Sequence, residues 1–215
     1  MRFLLVLLVV LLLLGNLLAV DDKKCSSGNV CNNDAIPPSK LVIGSSKPYP
    51  LVASAMRRKN LLVVNVDVYH VGIYLSPSME NIISQNIKSN KGFGLATKTG
   101  EDVSISIYLK FVRSVTTDKI VQAFKEGLTI SDKTAVDTFT SILLKKIGQQ
   151  GAAKDDSIEF IFKGKNNEDI GIVVRNDKVP EVVKSAALRE QLIEIYTGKN
   201  SIVPDIPKQL TTKYK

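Results

Sequence analysis

The chain has 215 residues, of which 44% are hydrophobic and 23% charged, and its 29 basic and 21 acidic side chains give a formal net charge of +8. The lysines are scattered, with no aromatic-studded basic stripe, so the charge indicates a solvated surface and not a nucleic-acid-binding face. A single histidine and two cysteines cannot supply a four-ligand zinc site. Without a Gly-rich phosphate loop or a nucleophile elbow, we expect no metal and no cofactor.

Residues 1–20 have the layout of a secretory signal peptide. One charge, Arg2, precedes an apolar run at 3–14, which Gly15 and Asn16 interrupt before the polar chain begins. The run is shorter than the ~20 apolar residues that a membrane-spanning helix usually needs. We therefore predict cleavage near the end of this segment and entry into the secretory pathway as a secreted or lumenal protein without a membrane span. An uncleaved signal anchor is the alternative.

Residues 21–39 predict a flexible lead-in, because they are rich in Ser, Asn, Asp and Pro and lack hydrophobic periodicity. Cys25 and Cys31 flank a short polar segment within it, and an oxidising compartment favours a disulfide between them. Such a disulfide would close a small loop in the N-terminal segment, outside the hydrophobic core. The folded domain is expected to begin near Lys40.

The first half of the domain has the pattern of β-structure. Short strands are predicted at 41–44 and 51–56, and the stretch 61–75 is dense in β-branched and aromatic residues and long enough for one bent strand or two. A short helix is expected at 79–87. Apolar and polar residues then alternate over 103–111, which predicts a half-buried strand.

The second half mixes helices with a hairpin. Thr117 and Ser131 can each cap an amphipathic helix, and Ser185 can cap a later one. Strands at 157–162 and 170–175 are separated by a polar turn, as in a hairpin. Together these elements predict an α+β fold, an antiparallel sheet with helices layered on one face.

One face of the long strand carries Asn65, Asp67 and Tyr69 among apolar neighbours. A buried carboxylate without a partner is costly, so Asp67 is expected to pair with Arg57 or Arg58. Two interpretations stay open from the pattern alone. The first is a structural ion pair, and the second is the polar floor of an apolar pocket in which Arg57 grips an anionic head group.

Several segments resemble the chalcone isomerase family. The central one is YHVGIYL (69–75), with Arg57 twelve positions before its tyrosine, and the later ones are ISIYLKFVRSVTTDKIVQAF (105–124), the hairpin through Gly171, and IYTGKN (195–200). The resemblance covers 40–207 and leaves 208–215 as a C-terminal tail. It implies the chalcone isomerase fold, an open-faced β-sandwich with a long antiparallel sheet, a layer of helices on one face and a ligand cleft between them.

The family contains cofactor-independent isomerases that close a chalcone to a flavanone, and non-catalytic relatives that bind fatty acids in the same cleft. By resemblance, the cleft arginine falls on Arg57, and Tyr69 occupies a position where plant isomerases typically have threonine and the fatty-acid binders have tyrosine. Three further polar contacts of the plant enzymes fall on Thr116, Ala123 and Ile195. The resemblance therefore implies binding of a fatty acid or similar amphipathic molecule, with Arg57, Tyr69 and Thr116 as ligand-binding residues.

Two other functions remain open at this point. The first is a cofactor-independent intramolecular lyase of the chalcone isomerase type, with Arg57 as the electrophilic clamp on the substrate carbonyl and Tyr69 as a hydrogen-bond donor. The second is an interaction module whose cleft has collapsed. Fold alone does not choose among binder, enzyme and module.

Overall fold

The structure is a computed structural model that describes residues 36–61, 64–89, 104–163 and 169–214. The signal peptide and the Cys25 and Cys31 pair predicted from the sequence lie outside the described residues. The same holds for most of the polar turn of the predicted hairpin, at 164–168.

Seven strands within the described residues form one antiparallel sheet whose spatial order follows the chain order. Along the central strands, alternate residues face the helices, and Ile105, Ile107 and Leu109 are buried there. The strands are β1 (Ser39–Lys40), β2 (Tyr49–Leu61), β3 (Val64–Leu75), β4 (Ile105–Phe111), β5 (Ser157–Phe162), β6 (Asp169–Val174) and β7 (Glu181–Lys184).

Helices within the same residues pack against the sheet, which confirms the predicted α+β class. The side chains of Ser76, Asp132 and Ser185 accept hydrogen bonds from main-chain N–H groups three residues further on, as helix N-caps do. The helices are α1 (Pro77–Lys88), α2 (Thr117–Gly127), α3 (Lys133–Ile147), α4 (Ala186–Thr197) and α5 (Asp205–Tyr214).

Two of the predicted caps are displaced by one residue. The cap of α3 is Asp132 and not Ser131, because the carboxylate of Asp132 reaches the N–H of Ala135 at 3.1 Å. At α2 the cap position is Thr116, without a side-chain cap bond, while Thr117 is the first helical residue and its hydroxyl donates to the carbonyl of Gly148.

Some elements differ from the sequence expectation at the ends of the domain. The segment 41–44 is not a strand but leads into a turn at Gly44, whose φ is +74°. The short edge strand β7 was not predicted. Residues 208–214, assigned from the sequence to a tail, belong to α5, whose Ile206, Leu210 and Tyr214 are buried at helical spacing.

The main core fills the space between the sheet and the helices. Its centre is an aromatic cluster of Phe124 on α2, Phe139 on α3 and Phe160 on β5, with ring centroids 5.3 to 5.6 Å apart. The two contacts of Phe124 are edge-to-face, a geometry that favours one arrangement of the rings. The cluster therefore fixes the position of α2 and α3 on the sheet.

The opposite face of the sheet is partly covered by the segment that precedes β2. Ile36, Tyr49, Tyr74 and Ile161 are among the buried residues of a second apolar cluster on this face. The hydroxyl of Tyr74 donates to the carbonyl of Pro37 at 2.8 Å. The end of the predicted flexible lead-in is therefore packed onto the sheet.

Candidate functional site

The two principal predicted site residues meet across neighbouring strands. Arg57 on β2 lies directly opposite Tyr69 on β3, whereas the next residue, Arg58, lies opposite Asp67. Val68 is the extra residue between the two pairs and forms a β-bulge, a feature that re-aims side chains locally. The two residues that the resemblance assigned to one cleft are therefore cross-strand neighbours in the sheet.

Arg57 connects this part of the sheet to the loop between α4 and α5. Its Nη1 donates to the carbonyl of Ile202 at 2.8 Å and to the carbonyl of Arg58 at 2.8 Å. The N–H of Ile202 in turn donates to the carbonyl of Ile195, at 3.0 Å, near the end of α4. A guanidinium carries five N–H donors, so two contacts through Nη1 leave the Nε and Nη2 groups for further acceptors.

Tyr69 packs against the main core while its hydroxyl lies near polar neighbours. Its ring meets Phe111 edge-on, with centroids 5.6 Å apart. Burial raises the pKa of Tyr69, and the nearby Tyr196 and Arg57 partly oppose that rise. The phenol therefore stays protonated at neutral pH and is available as a hydrogen-bond donor.

A third residue of this group, Tyr196 on α4, was missed by the sequence reasoning. Its side chain is fully buried, and its hydroxyl has no hydrogen-bond partner among the residues that the structure describes. Burial, followed by the adjacent hydroxyl of Tyr69, raises the pKa of Tyr196 well above its usual value. The Tyr69 hydroxyl is near enough to influence this pKa, but no hydrogen bond joins the two hydroxyls, so the Tyr196 hydroxyl is unpaired within the described residues.

A usable signal for Tyr196 was present in the sequence. Leu188, Leu192 and Tyr196 follow each other at intervals of four, the spacing of one helix face, and all three are buried. In the motif IYTGKN the family resemblance matched only Ile195 to a ligand contact, and Ile195 is half-buried against the core. Tyr196, the next residue of the motif, is the polar residue that faces inward.

Thr116, the remaining predicted ligand-binding residue, has a different environment. It is exposed at the start of α2, and Ala123 further along the same helix is exposed as well. Arg57, Tyr69 and Tyr196 therefore form the head-group cluster, the name used below for these three residues. Thr116 forms no side-chain hydrogen bond with these three residues.

Asp67 is paired, but at the surface. Arg58 Nε lies 2.9 Å from Asp67 Oδ1, and the two side chains are 61% and 40% exposed. An exposed pair of this kind contributes at most about 1 kcal/mol. Of the two interpretations of the polar strand face, the buried ion pair is wrong for Asp67, and Arg57 is not its partner.

The described residues contain neither a metal-binding cluster nor a membrane-spanning helix. No group of three or more His, Cys, Asp or Glu side chains is arranged to hold a metal ion there. Within the same residues, no helix is both long and apolar enough to cross a membrane. A surface groove lies along α3, lined by Thr134, Asp137, Thr138, Ser141, Ile142 and Lys145, away from the head-group cluster.

Comparison with solved structures identifies the fold. Among the matching structures is the crystal structure of a fatty-acid binding protein of Arabidopsis thaliana, with a TM-score of 0.66 and 20% sequence identity over 83% of this chain and 92% of that one. This chain has the chalcone isomerase fold. The resemblance drawn from the sequence motifs is thereby confirmed. No model of a known protein family matches the chain, and no curated protein matches it.

Proposed function

We propose that this protein binds a fatty acid or a similar amphipathic carboxylate, with the head group on Arg57 and Tyr69. The observation that carries the proposal is the direct cross-strand pairing of these two residues on a fold shared with a fatty-acid binding protein. Guanidinium and phenol groups are both donors that suit a carboxylate, and the two main-chain carbonyls bound by Arg57 engage only its Nη1. The tail would lie along the apolar interface between the sheet and the helices.

A ligand tail can occupy that interface only if the helices move away from the sheet, because aromatic side chains fill the interface. The loop after α4 is the natural point of movement, since the guanidinium of Arg57 links it to the sheet through the carbonyl of Ile202. A ligand carboxylate competes for the same guanidinium. Binding is therefore expected to loosen α4 and α5 against β2 and to be detectable as a change in their amide hydrogen exchange.

Isothermal titration of saturated fatty acids into the domain tests this function. Arg57→Ala removes charge-assisted hydrogen bonds to the carboxylate and is expected to lower the affinity at least about tenfold. Arg58→Ala is the matched control, because it removes the neighbouring guanidinium, which is 61% exposed and paired with Asp67. Equal affinity in wild type and Arg57→Ala, or no binding by either protein, would contradict the proposal.

No specific observation favours the alternative of an intramolecular lyase. Ring closure needs positioned polar groups around the substrate besides the clamp on its carbonyl. Of the three positions that match such groups in plant isomerases, Thr116 and Ala123 are exposed and Ile195 is apolar. Unchanged decay of a chalcone on addition of the protein is the expected result.

We also propose that residues 1–20 direct the chain into the secretory pathway and are then removed. The support is the sequence itself, in which an apolar run follows a single basic residue. Intact-mass measurement of the protein recovered from medium or lumen should give a mature chain starting near residue 20 or 21. Recovery of the uncleaved chain in the membrane fraction would instead indicate a signal anchor.

A further inference from the structure

The unpaired hydroxyl of Tyr196 calls for a physical explanation. The residue is fully buried, and no group in the described part of the chain forms a hydrogen bond with its hydroxyl. Buried polar groups are nearly always paired in folded proteins, because water no longer compensates them. A hydroxyl left without a partner therefore suggests that the partner is something other than this chain.

The position of Tyr196 decides which partner fits. Tyr196 faces inward from α4, and its polar neighbours are Tyr69 and Arg57, which are themselves paired across β2 and β3. Burial keeps both phenols protonated, so each offers an O–H donor. The head-group cluster is thus a group of three donors, one of them cationic.

A carboxylate matches this arrangement better than an alcohol head group does. Its two oxygens present about four acceptor sites, enough for the guanidinium and both phenols together. An alcohol carries one oxygen, no charge and a hydrogen that competes with the phenols. An alcohol would therefore leave part of the cluster unpaired, which is how a polar site discriminates against the wrong ligand.

We propose that Tyr196 is a specificity-determining residue, which donates a hydrogen bond to the ligand and makes the site select carboxylates over alcohols of the same chain length. The proposal rests on the proposed function, since it names a further residue of the same site. It assigns a role to α4, whose contribution is separate from that of β2 and β3.

The test compares decanoate with decanol by isothermal titration, using wild type and Tyr196→Phe. The substitution removes one oxygen and no buried ring, so the fold is retained. The affinity for decanoate is expected to fall about tenfold, as for the loss of one hydrogen bond to a charged group, while the affinity for decanol stays the same. The thermal midpoint is expected to stay constant or rise, because a buried unpaired hydroxyl has been removed.

Tyr74→Phe is the matched control. Tyr74 is equally buried, but it lies on the other face of the sheet and its hydroxyl donates to the carbonyl of Pro37 at 2.8 Å. This variant is expected to have a lower thermal midpoint and unchanged binding, the reverse of Tyr196→Phe.

The outcomes separate this inference from the function on which it rests. Equal decanoate affinity in wild type and Tyr196→Phe would overturn the inference alone, and so would an equal loss for decanoate and decanol. Absence of decanoate binding by the wild type, together with absence of binding for longer fatty acids, would overturn the proposed function and the inference with it.

Discussion

Replacement of Glu159 by Gln should destabilise the protein by removing a charge from a buried polar group on the outer face of the sheet, the face that points away from the helices. The carboxylate is 3% exposed, accepts a hydrogen bond from the hydroxyl of Ser106 at 2.6 Å and forms an ion pair with Lys40. Lys40 also lies over the ring of Tyr108, with its Nζ 4.6 Å from the centroid. These contacts connect β1 to the centre of the sheet.

The magnitude follows from the exposure of the two partners. Breaking a fully buried pair costs about 3–5 kcal/mol, and an exposed pair contributes about 0–1 kcal/mol. Glu159 is buried while Lys40 is 23% exposed, so the loss in Glu159→Gln falls between these ranges, at roughly 2–3 kcal/mol. For a domain of this size the thermal midpoint should drop by roughly 4–12 °C.

Urea denaturation of wild type, Glu159→Gln, Lys40→Met and the double variant is the assay. The double variant should recover part of the loss, because it leaves no unpaired charge beneath the N-terminal segment. A change of less than about 0.5 kcal/mol in Glu159→Gln would refute the reasoning. Additive losses in the double variant would show that the two side chains do not interact.

Three further predictions concern other parts of the fold. Burial lowers the pKa of His70, so the folded state resists protonation of this imidazole. His70 therefore does not reduce the free energy of unfolding above its ordinary pKa of about 6.5, and it lowers that free energy as the pH falls below this value. An NMR titration of this single imidazole with a midpoint at or above 6.5 would contradict this. Gln209→Leu removes two hydrogen bonds from α5 to the main chain of Ser54, at 3.0 and 2.8 Å, and should lower the free energy of unfolding by about 1–3 kcal/mol in urea denaturation. No change would mean that α5 is held by its apolar face alone. Gly151→Ala should lower the thermal midpoint further than Gly148→Ala, because both glycines have positive φ but only at Gly151 would a Cβ lie 2.3 Å from a main-chain carbonyl oxygen. Equal midpoints would contradict the clash.

Much of the fold could be predicted because its signals are local. Alternation over β4 and apolar spacing along α2 and α3 each report a buried face directly, and the structure has these elements close to the predicted bounds. The short edge strand β7 has only four residues, two of them charged, and follows a proline, so no run of alternation marks it. Its place in the sheet is decided by pairing with β6.

The packing of the N-terminal segment depends on contacts that no local pattern contains. Ile36 is buried against the outer face of the sheet, and Tyr74, which holds the carbonyl of Pro37, lies far along the chain. Polar and proline-rich composition predicted a flexible segment over 21–39, whereas its described end, from Ile36, packs onto the sheet and leads into β1. The composition gave no information on the surface against which the segment packs.

The candidate site was predictable in part for the same reason. Arg57 and Tyr69 lie on adjacent strands, and the family resemblance singled out both. Tyr196 comes from a helix more than a hundred residues later, so its nearness to Tyr69 is a property of the tertiary structure. Helical spacing could show that Tyr196 faces inward, but not that its hydroxyl would lie beside a tyrosine and an arginine.

Native mass spectrometry of the domain, purified from the cells that produce it, tests the central claim of carboxylate binding most directly. The account predicts that the wild type and Arg58→Ala carry an added mass that matches a fatty acid on gentle ionisation, and that Arg57→Ala is recovered without it. Wild-type protein that is recovered empty and takes up no fatty acid when incubated with one would contradict the account, and would favour an interaction module whose interior is closed.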